Sequence, residues 1–191
     1  AKGSVSSATD LADQSQCSPC TPGSACTTGS LSPTPCPSGS ISAGFGASEC
    51  VPCDGGMYQS SPNATFCLPC EPGSICPVGA SAPLPCEKGS FSSATDLLDQ
   101  SQCSPCPPGS ACSTGSVVPT PCTPGSVSSG FGAAEGVPCD GGTYQSSPNA
   151  TACVPCEPGS MCPLGASVPL MCEKGSFSSA TDLADQSQCS P

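Results

Sequence analysis

Cysteine is the residue type whose number and spacing carry chemistry here: 20 of the 191 residues are Cys, many of them in Cys-x-Pro-Cys pairs such as Cys50 with Cys53 and Cys103 with Cys106. Thiols at such spacing can do three things. As thiolates they can ligate zinc, and Cys50-x2-Cys53-x13-Cys67-x2-Cys70 has the spacing of a four-Cys ribbon. As a vicinal pair they can form a thioredoxin-like redox centre, which requires a strand and helix that this sequence does not supply after the motif. Oxidised, they form a structural framework, and a Cys content of about a tenth is the mark of that class in an oxidising compartment. The third reading is favoured, because the Cys form an unbroken ladder and the zinc spacing loses a ligand one period on, at Gly136.

A Cys count does not fix connectivity, but a ladder has a simplest scheme, in which the last Cys of one unit joins the next Cys in sequence. That scheme pairs Cys20 with Cys26, Cys36 with Cys50, Cys53 with Cys67, Cys70 with Cys76 and Cys86 with Cys103. It continues with Cys106 to Cys112, Cys139 to Cys153, Cys156 to Cys162 and Cys172 to Cys189. Cys17 and Cys122 are left unpaired. The partner of Cys17 would lie just before Ala1, and the partner of Cys122 would stand at position 136, where Gly136 replaces the counterpart of Cys50. Each closed loop is expected to contribute about 2 to 4 kcal/mol by restricting the unfolded chain.

Other chemistry is scarce. There is no His, which removes the usual general base and the commonest metal ligand. The net charge is -11 with only three basic residues, Lys2, Lys88 and Lys174, so nucleic acid and anionic membranes are not expected partners. No GxSxG, HExxH or P-loop occurs, and neither catalysis, a cofactor nor a resident metal is expected. Asp96 and Asp99, with their equivalents Asp10, Asp13, Asp182 and Asp185, lie in a recurring SATDLxDQSQC loop. Two carboxylates are too few for calcium without further oxygens, and Asp96 reads as the cap of a local turn.

The chain holds two Asn, and both open N-x-[ST] sequons: Asn63-Ala64-Thr65 and Asn149-Ala150-Thr151. They occupy one unit position just before a Cys, as exposed N-glycosylation sites would, although Asn also suits a Ser-Pro-Asn turn. Ser32-Pro33-Thr34-Pro35 and Val118-Pro119-Thr120-Pro121 read as short extended polyproline II segments.

The elements that position these residues follow from an internal repeat. Its period is 86 residues, the interval from Lys2 to Lys88 and from Lys88 to Lys174, each of which opens a near-identical KGSxSSATDL segment. Within one period five smaller units recur, at 37–53, 54–70, 71–86, 87–106 and 107–122, each with Gly at its third position. Segments 1–36, 37–122 and 123–191 are then the end of one period, a whole period and part of the next. Pro-Gly pairs such as Pro72-Gly73 suit a type II turn, followed by a short strand. The inward residue of that strand is expected two positions after each Gly, at Ile41, Tyr58, Ile75, Phe91, Val127, Tyr144, Met161 or Phe177. One such residue per unit cannot fold it alone, so each unit is expected to lean mainly on its neighbours.

With 25 Pro, 22 Gly and only 4% aromatic residues, helices and a continuous apolar core are not expected. The fold class expected is an elongated linear array of small disulfide-rich repeats, built from short β-hairpins and turns with little or no helix. No run of 18 apolar residues is present, so no membrane span is expected. Ala1 stands at the unit position of Glu87, and Pro191 stops inside a Cys-x-Pro-Cys pattern, so the array is expected to continue beyond both ends.

The pattern Cys-x-Pro-Cys-x-Pro-Gly-Ser-x-Cys, as in 103–112, followed by Pro-Cys-x-x-Gly-Ser, resembles the ephrin-receptor-like cysteine-rich repeat family. The loop CDGGMYQSSPNATFC at 53–67 is similar to the first loop of tumour-necrosis-factor-receptor modules. Near-identical Ser-Pro- and Thr-Pro-rich copies resemble the large repetitive shaft proteins of algal mastigonemes, the hairs on cilia. These resemblances imply an extracellular structural component of a cell- or cilium-surface filament, with other shaft subunits and glycans as partners in a large polymer. They also imply hydroxyproline-linked glycans near Pro33, Pro35, Pro119 and Pro121. The missing Cys at Gly136 departs from the pattern. The same ladder would suit a receptor or adhesion ectodomain presenting a ligand-binding face.

Overall fold

In the computed structural model, residues 1–9 and 12–191 are described. They form a series of small antiparallel hairpins, each made of two two-residue strands. In the hairpin of Ser40–Ile41 with Val51–Pro52, Ser40 lies opposite Pro52 and Ile41 opposite Val51. The same register recurs in Ser126–Val127 with Val137–Pro138, one period later. Among the described residues the only helical elements are three single 3-10 turns, Gln14–Gln16, Gln100–Gln102 and Gln186–Gln188. The described residues are thus a disulfide-rich repeat of short hairpins without α-helix.

Sequence punctuation limits each strand to two residues. A turn Gly precedes the first strand and the closing Cys follows the second. The second strand usually ends in Pro, as in Thr34–Pro35, Val51–Pro52 and Leu68–Pro69. Proline is tolerated there because the second strand of each hairpin has a single partner, so the missing N–H need not serve a second ladder. It also blunts an edge that would otherwise be open to pairing with another chain. The segments read as polyproline II are in part such strands, since Thr34–Pro35 and Thr120–Pro121 pair with Ser24–Ala25 and Ser110–Ala111.

The chain divides into two compact units, one of Ala1–Pro85 with Ala94–Gln102 and one of Cys86–Ser93 with Cys103–Pro191. Each uses the same backbone scheme. In the first, Gly39 N–H donates to Gln59 O of the next hairpin at 2.7 Å, while Gly39 O accepts from Cys53 N, which closes its own hairpin, at 2.9 Å. Asn63 N–H reaches back past one hairpin to Cys36 O, and Gly79 N–H does the same to Cys53 O, both at 2.8 Å. In the second unit, Gly125 N–H donates to Gln145 O, Asn149 N–H to Cys122 O and Gly165 N–H to Cys139 O. Within each unit these hairpins are therefore bonded to the next and to the next but one, which extends the stacking mainly on neighbours expected from the repeat.

Contact at that distance admits no side chain. Gly39 has φ +83°, and a Cβ built on it would lie 2.2 Å from Gly79 O; Gly125 has φ +88°, with Gly165 O at 2.3 Å.

The interior is sulfur. Among the described residues the largest fully buried side chains are all Cys. The expected inward residues are placed differently. Ile75 is buried, Ile41, Tyr58, Phe91, Val127, Tyr144 and Met161 are half-buried, and Phe177 is exposed. Polar residues next to them are buried instead, Ser42, Gln59, Ser92 and Ser128 one position on and Ser90 and Ser160 one position before, as are Ser24 and Ser110 beside Ala25 and Ala111. Side chains alternate along a strand, so moving the inward position by one residue exchanges the two faces. Small hydroxyls fit beside the disulfides and find partners: Ser90 Oγ donates to Glu87 O at 2.6 Å and Ser42 Oγ to Gly44 O at 3.4 Å within the turn, while Ser24 and Ser110 reach the next-but-one hairpin.

Gly39→Ala tests the close approach. Both the positive φ and the 2.2 Å contact oppose the methyl group, so the local destabilisation is expected to exceed about 1 kcal/mol. The amides of Gly39 and Cys53 should then exchange with solvent at least about fivefold faster, as read by native-state hydrogen exchange.

Candidate functional site

The chemistry of the chain is concentrated at the joints between hairpins. Nine disulfides are present among the described residues: Cys20–Cys26, Cys36–Cys50, Cys53–Cys67, Cys70–Cys76, Cys86–Cys103, Cys106–Cys112, Cys139–Cys153, Cys156–Cys162 and Cys172–Cys189. Each runs from the Cys that closes one unit to the unit that follows. Their Cα separations, from 5.5 Å for Cys36–Cys50 to 6.1 Å for Cys172–Cys189, lie within the ordinary range. The four Cys with zinc-ribbon spacing are divided among three of these bonds and offer no thiolate to a metal.

Cys17 and Cys122 are free, the first half-buried and the second 4% exposed. The Cys122 joint is complete except for its sulfur partner. A Cβ built on Gly136 would lie 3.1 Å from Cys122 Sγ. That is about the distance a Cβ keeps from the partner sulfur across an ordinary disulfide. Where the partner is missing, a cleft of about 340 Å³ opens, lined by Ala111, Pro121, Cys122, Ser126, Gly136 and Pro138 among others. Burial raises the Cys122 thiol above its usual range. The joint is held by backbone hydrogen bonds: Gly109 N–H to Ser128 O, Cys112 N–H to Ala133 O, Gly132 N–H to Cys106 O and Asn149 N–H to Cys122 O, at 2.7 to 3.0 Å.

Asn63 and Asn149 are exposed and are the only described non-glycine residues with positive φ, at 59° each. They occupy the turn position held by Gly46 and Gly79 in neighbouring hairpins, and Asn tolerates that conformation better than most residues. The turn role and the sequon therefore share one residue. Asn63 Oδ1 accepts from Ser24 Oγ at 3.0 Å, and Asn149 Oδ1 from Ser110 Oγ at 3.1 Å. The carbonyl end of each side chain is thus engaged, and Nδ2 is the atom that N-glycosylation uses. Pro35 and Pro121 are exposed strand residues, and Pro33 and Pro119 are half-buried beside them.

In the SATDLxDQSQC loops the cap is formed by Asp99, not by the expected Asp96. Asp99 Oδ1 accepts from the amide and hydroxyl of Ser101, and Asp13 and Asp185 do the same with Ser15 and Ser187. Gln102 closes the loop in return, its Oε1 accepting from Asp99 N at 3.2 Å. The Ser hydroxyl, then the Ser amide, holds each of the three carboxyls below the usual range. Asp96 instead presents its backbone to Gly56, on which a Cβ would meet Asp96 Cα at 2.9 Å. Asp10 lies outside the described residues. Leu97 and Leu183, 6% and 4% exposed, anchor these loops, with Leu97 O accepting from Cys76 N and Leu183 O from Cys162 N at 2.8 and 2.7 Å. Neither Leu was singled out by sequence reasoning; a Leu that follows the first Asp of an otherwise polar loop in every copy was the available signal.

A lowered folded-state pKa means that these caps stabilise the loop above the ordinary Asp range and lose that contribution as pH falls through the folded value. The protection of the Ser101 amide, its exchange relative to the unstructured chain at the same pH, should fall on acidification through that region. In Asp99→Asn, whose side-chain oxygen still accepts but does not titrate, that loss of protection should vanish; an unchanged protection profile in the variant contradicts the assignment.

The sequence matches no protein-family model and no curated protein, so the functional reading rests on the joints themselves.

Proposed function

We propose that this chain is part of an extracellular structural repeat protein, a rod-like component of a glycosylated surface filament such as a mastigoneme or similar ciliary or cell-surface fibre. The observation that carries the reading is the repetition of one joint. At every joint but the one at Cys122 a hairpin is tied by a disulfide to the next, and backbone hydrogen bonds reach the next two, with the same hydrogen-bond partners one period apart. A framework that spends its side chains on crosslinks transmits load and repeats indefinitely. Disulfide density fits an oxidising compartment, and no helix among the described residues is long and apolar enough to cross a membrane.

The supporting chemistry is at the surface. Glycans on Asn63 and Asn149, and hydroxyproline-linked sugars at Pro33, Pro35, Pro119 and Pro121, would cover a chain of few charges and many exposed apolar residues, among them Phe45 and Phe131, 72% and 73% exposed. Other filament subunits are the expected partners.

Electron microscopy of the native assembly is expected to show fibres with a subunit repeat set by the 86-residue period. Dispersed monomers with a saturable soluble ligand would instead favour a receptor or adhesion ectodomain. Glycopeptide mass spectrometry should find Asn63 and Asn149 occupied in the native material; bare peptides at both sequons and at all four Pro would remove the glycosylated-fibre reading.

A further inference from the structure

The disulfides determine how much chain can be drawn out without breaking a covalent bond. Between consecutive crosslinks the unshorted segments are short: two residues at Val51–Pro52, and the stretches 27–35, 77–85 and 163–171 at the longer intervals. One segment is different. From Cys112 to Cys139 no disulfide intervenes, because Cys122 has no partner at Gly136. Extended chain spans at most about 3.3 to 3.6 Å per residue, so 113–138 holds about 90 Å of contour to release, less the folded separation of its ends, against about 30 Å on the same basis for each of the other three.

The hydrogen bonds offer an internal comparison. At the crosslinked counterpart one period earlier, Gly23 N–H donates to Ser42 O, Ser42 N–H to Ala64 O and Asn63 N–H to Cys36 O. At the open joint Gly109 donates to Ser128 O, Ser128 to Ala150 O and Asn149 to Cys122 O. The distances agree within 0.2 Å, and the Cys36–Cys50 bond, with a sequence separation of 14, is the crosslink that the first joint has and the second lacks. The cleft of about 340 Å³ lies at the same place, beside the unpaired sulfur.

We propose that the open joint is a yielding element: 113–138 opens locally before any other segment between Cys20 and Cys189 and lengthens the chain by up to about 90 Å with every disulfide intact. Opening exposes Cys122, a thiol otherwise shielded at 4% exposure. The property belongs to the chain itself and stands or falls separately from the filament reading.

Single-molecule stretching of the oxidised 191-residue chain carrying Cys17→Ser tests it. The expected record has one release of about 90 Å at lower force than the releases of about 30 Å, with the terminal stretch 1–19, about 65 Å, as a reference common to all variants. In Gly136→Cys, with the new bond to Cys122 verified by peptide mapping, the release of about 90 Å should be replaced by one of about 30 Å from 113–121. Persistence of the long release in that variant, or its absence from the parent, overturns the proposal. Should Gly136→Cys fail to pair, hydrogen exchange on the parent chain decides. The amides of Gly109, Ser128 and Asn149 should exchange on the order of 100-fold faster than those of Gly23, Ser42 and Asn63, the factor a loop of this length implies. A ratio under about tenfold rejects the yielding element.

Discussion

Closing a loop with a disulfide acts on the unfolded chain, and every other contact in this protein depends on that restriction. The hairpins have two-residue strands, far below the size at which a hairpin is stable in water by itself. Buried apolar side chains other than Cys amount to Ala25, Ile75, Leu97 and Leu183 among the described residues, too few to oppose the conformational entropy of the chain. Loops of sequence separation 6, 14 and 17 remove that entropy locally, each before a long-range contact has to form. The sulfur atoms then serve twice, as crosslink and as the buried apolar matter against which the backbone packs.

Once the joints are closed, dense packing places a polar demand on the backbone. Groups brought to the interior have to be paired, and no side-chain nitrogen or oxygen buried there is left without a partner among the described residues. The turn glycine meets that demand with both of its groups. Gly39 N–H bonds forward to Gln59 O, and Gly39 O receives the Cys53 amide behind it. The absent Cβ is therefore a condition of the hydrogen bonds, because the space it would fill is occupied by Gly79 O of the hairpin two steps ahead. Turn, crosslink and stacking are one arrangement seen at three positions of the unit.

The parts of this arrangement that were legible in the sequence are those that act between neighbours along the chain. The ladder scheme, the turn at the third residue and the missing sulfur at Gly136 all follow from comparing adjacent units, and the structure joins the same nine cysteine pairs that the scheme joined. What was not legible depends on atoms separated by a whole hairpin. Ile41 and Tyr58 look like the core of a small strand because they are the largest apolar side chains in it. The interior, however, is bounded by disulfides and by backbone two units away, and it has room for Ser42 and little more. Choosing between Asp96 and Asp99 as the cap likewise needed the position of Ser101, two residues after Asp99 and five after Asp96.

Near-identity between periods gives the one irregular joint its meaning. Asn149, Ser128 and Gly109 make the bonds that Asn63, Ser42 and Gly23 make, so replacing Cys50 by its counterpart Gly136 leaves the folded geometry in place and changes chiefly the unfolded ensemble. A uniform ladder distributes load evenly and fails wherever a fluctuation first occurs. Removing one rung without altering the packing around it concentrates opening at a known place, between two crosslinked stretches that stay folded. Cys122 keeps its sulfur within disulfide distance of that place. The difference between a rigid and a yielding joint is thus one side chain at residue 136.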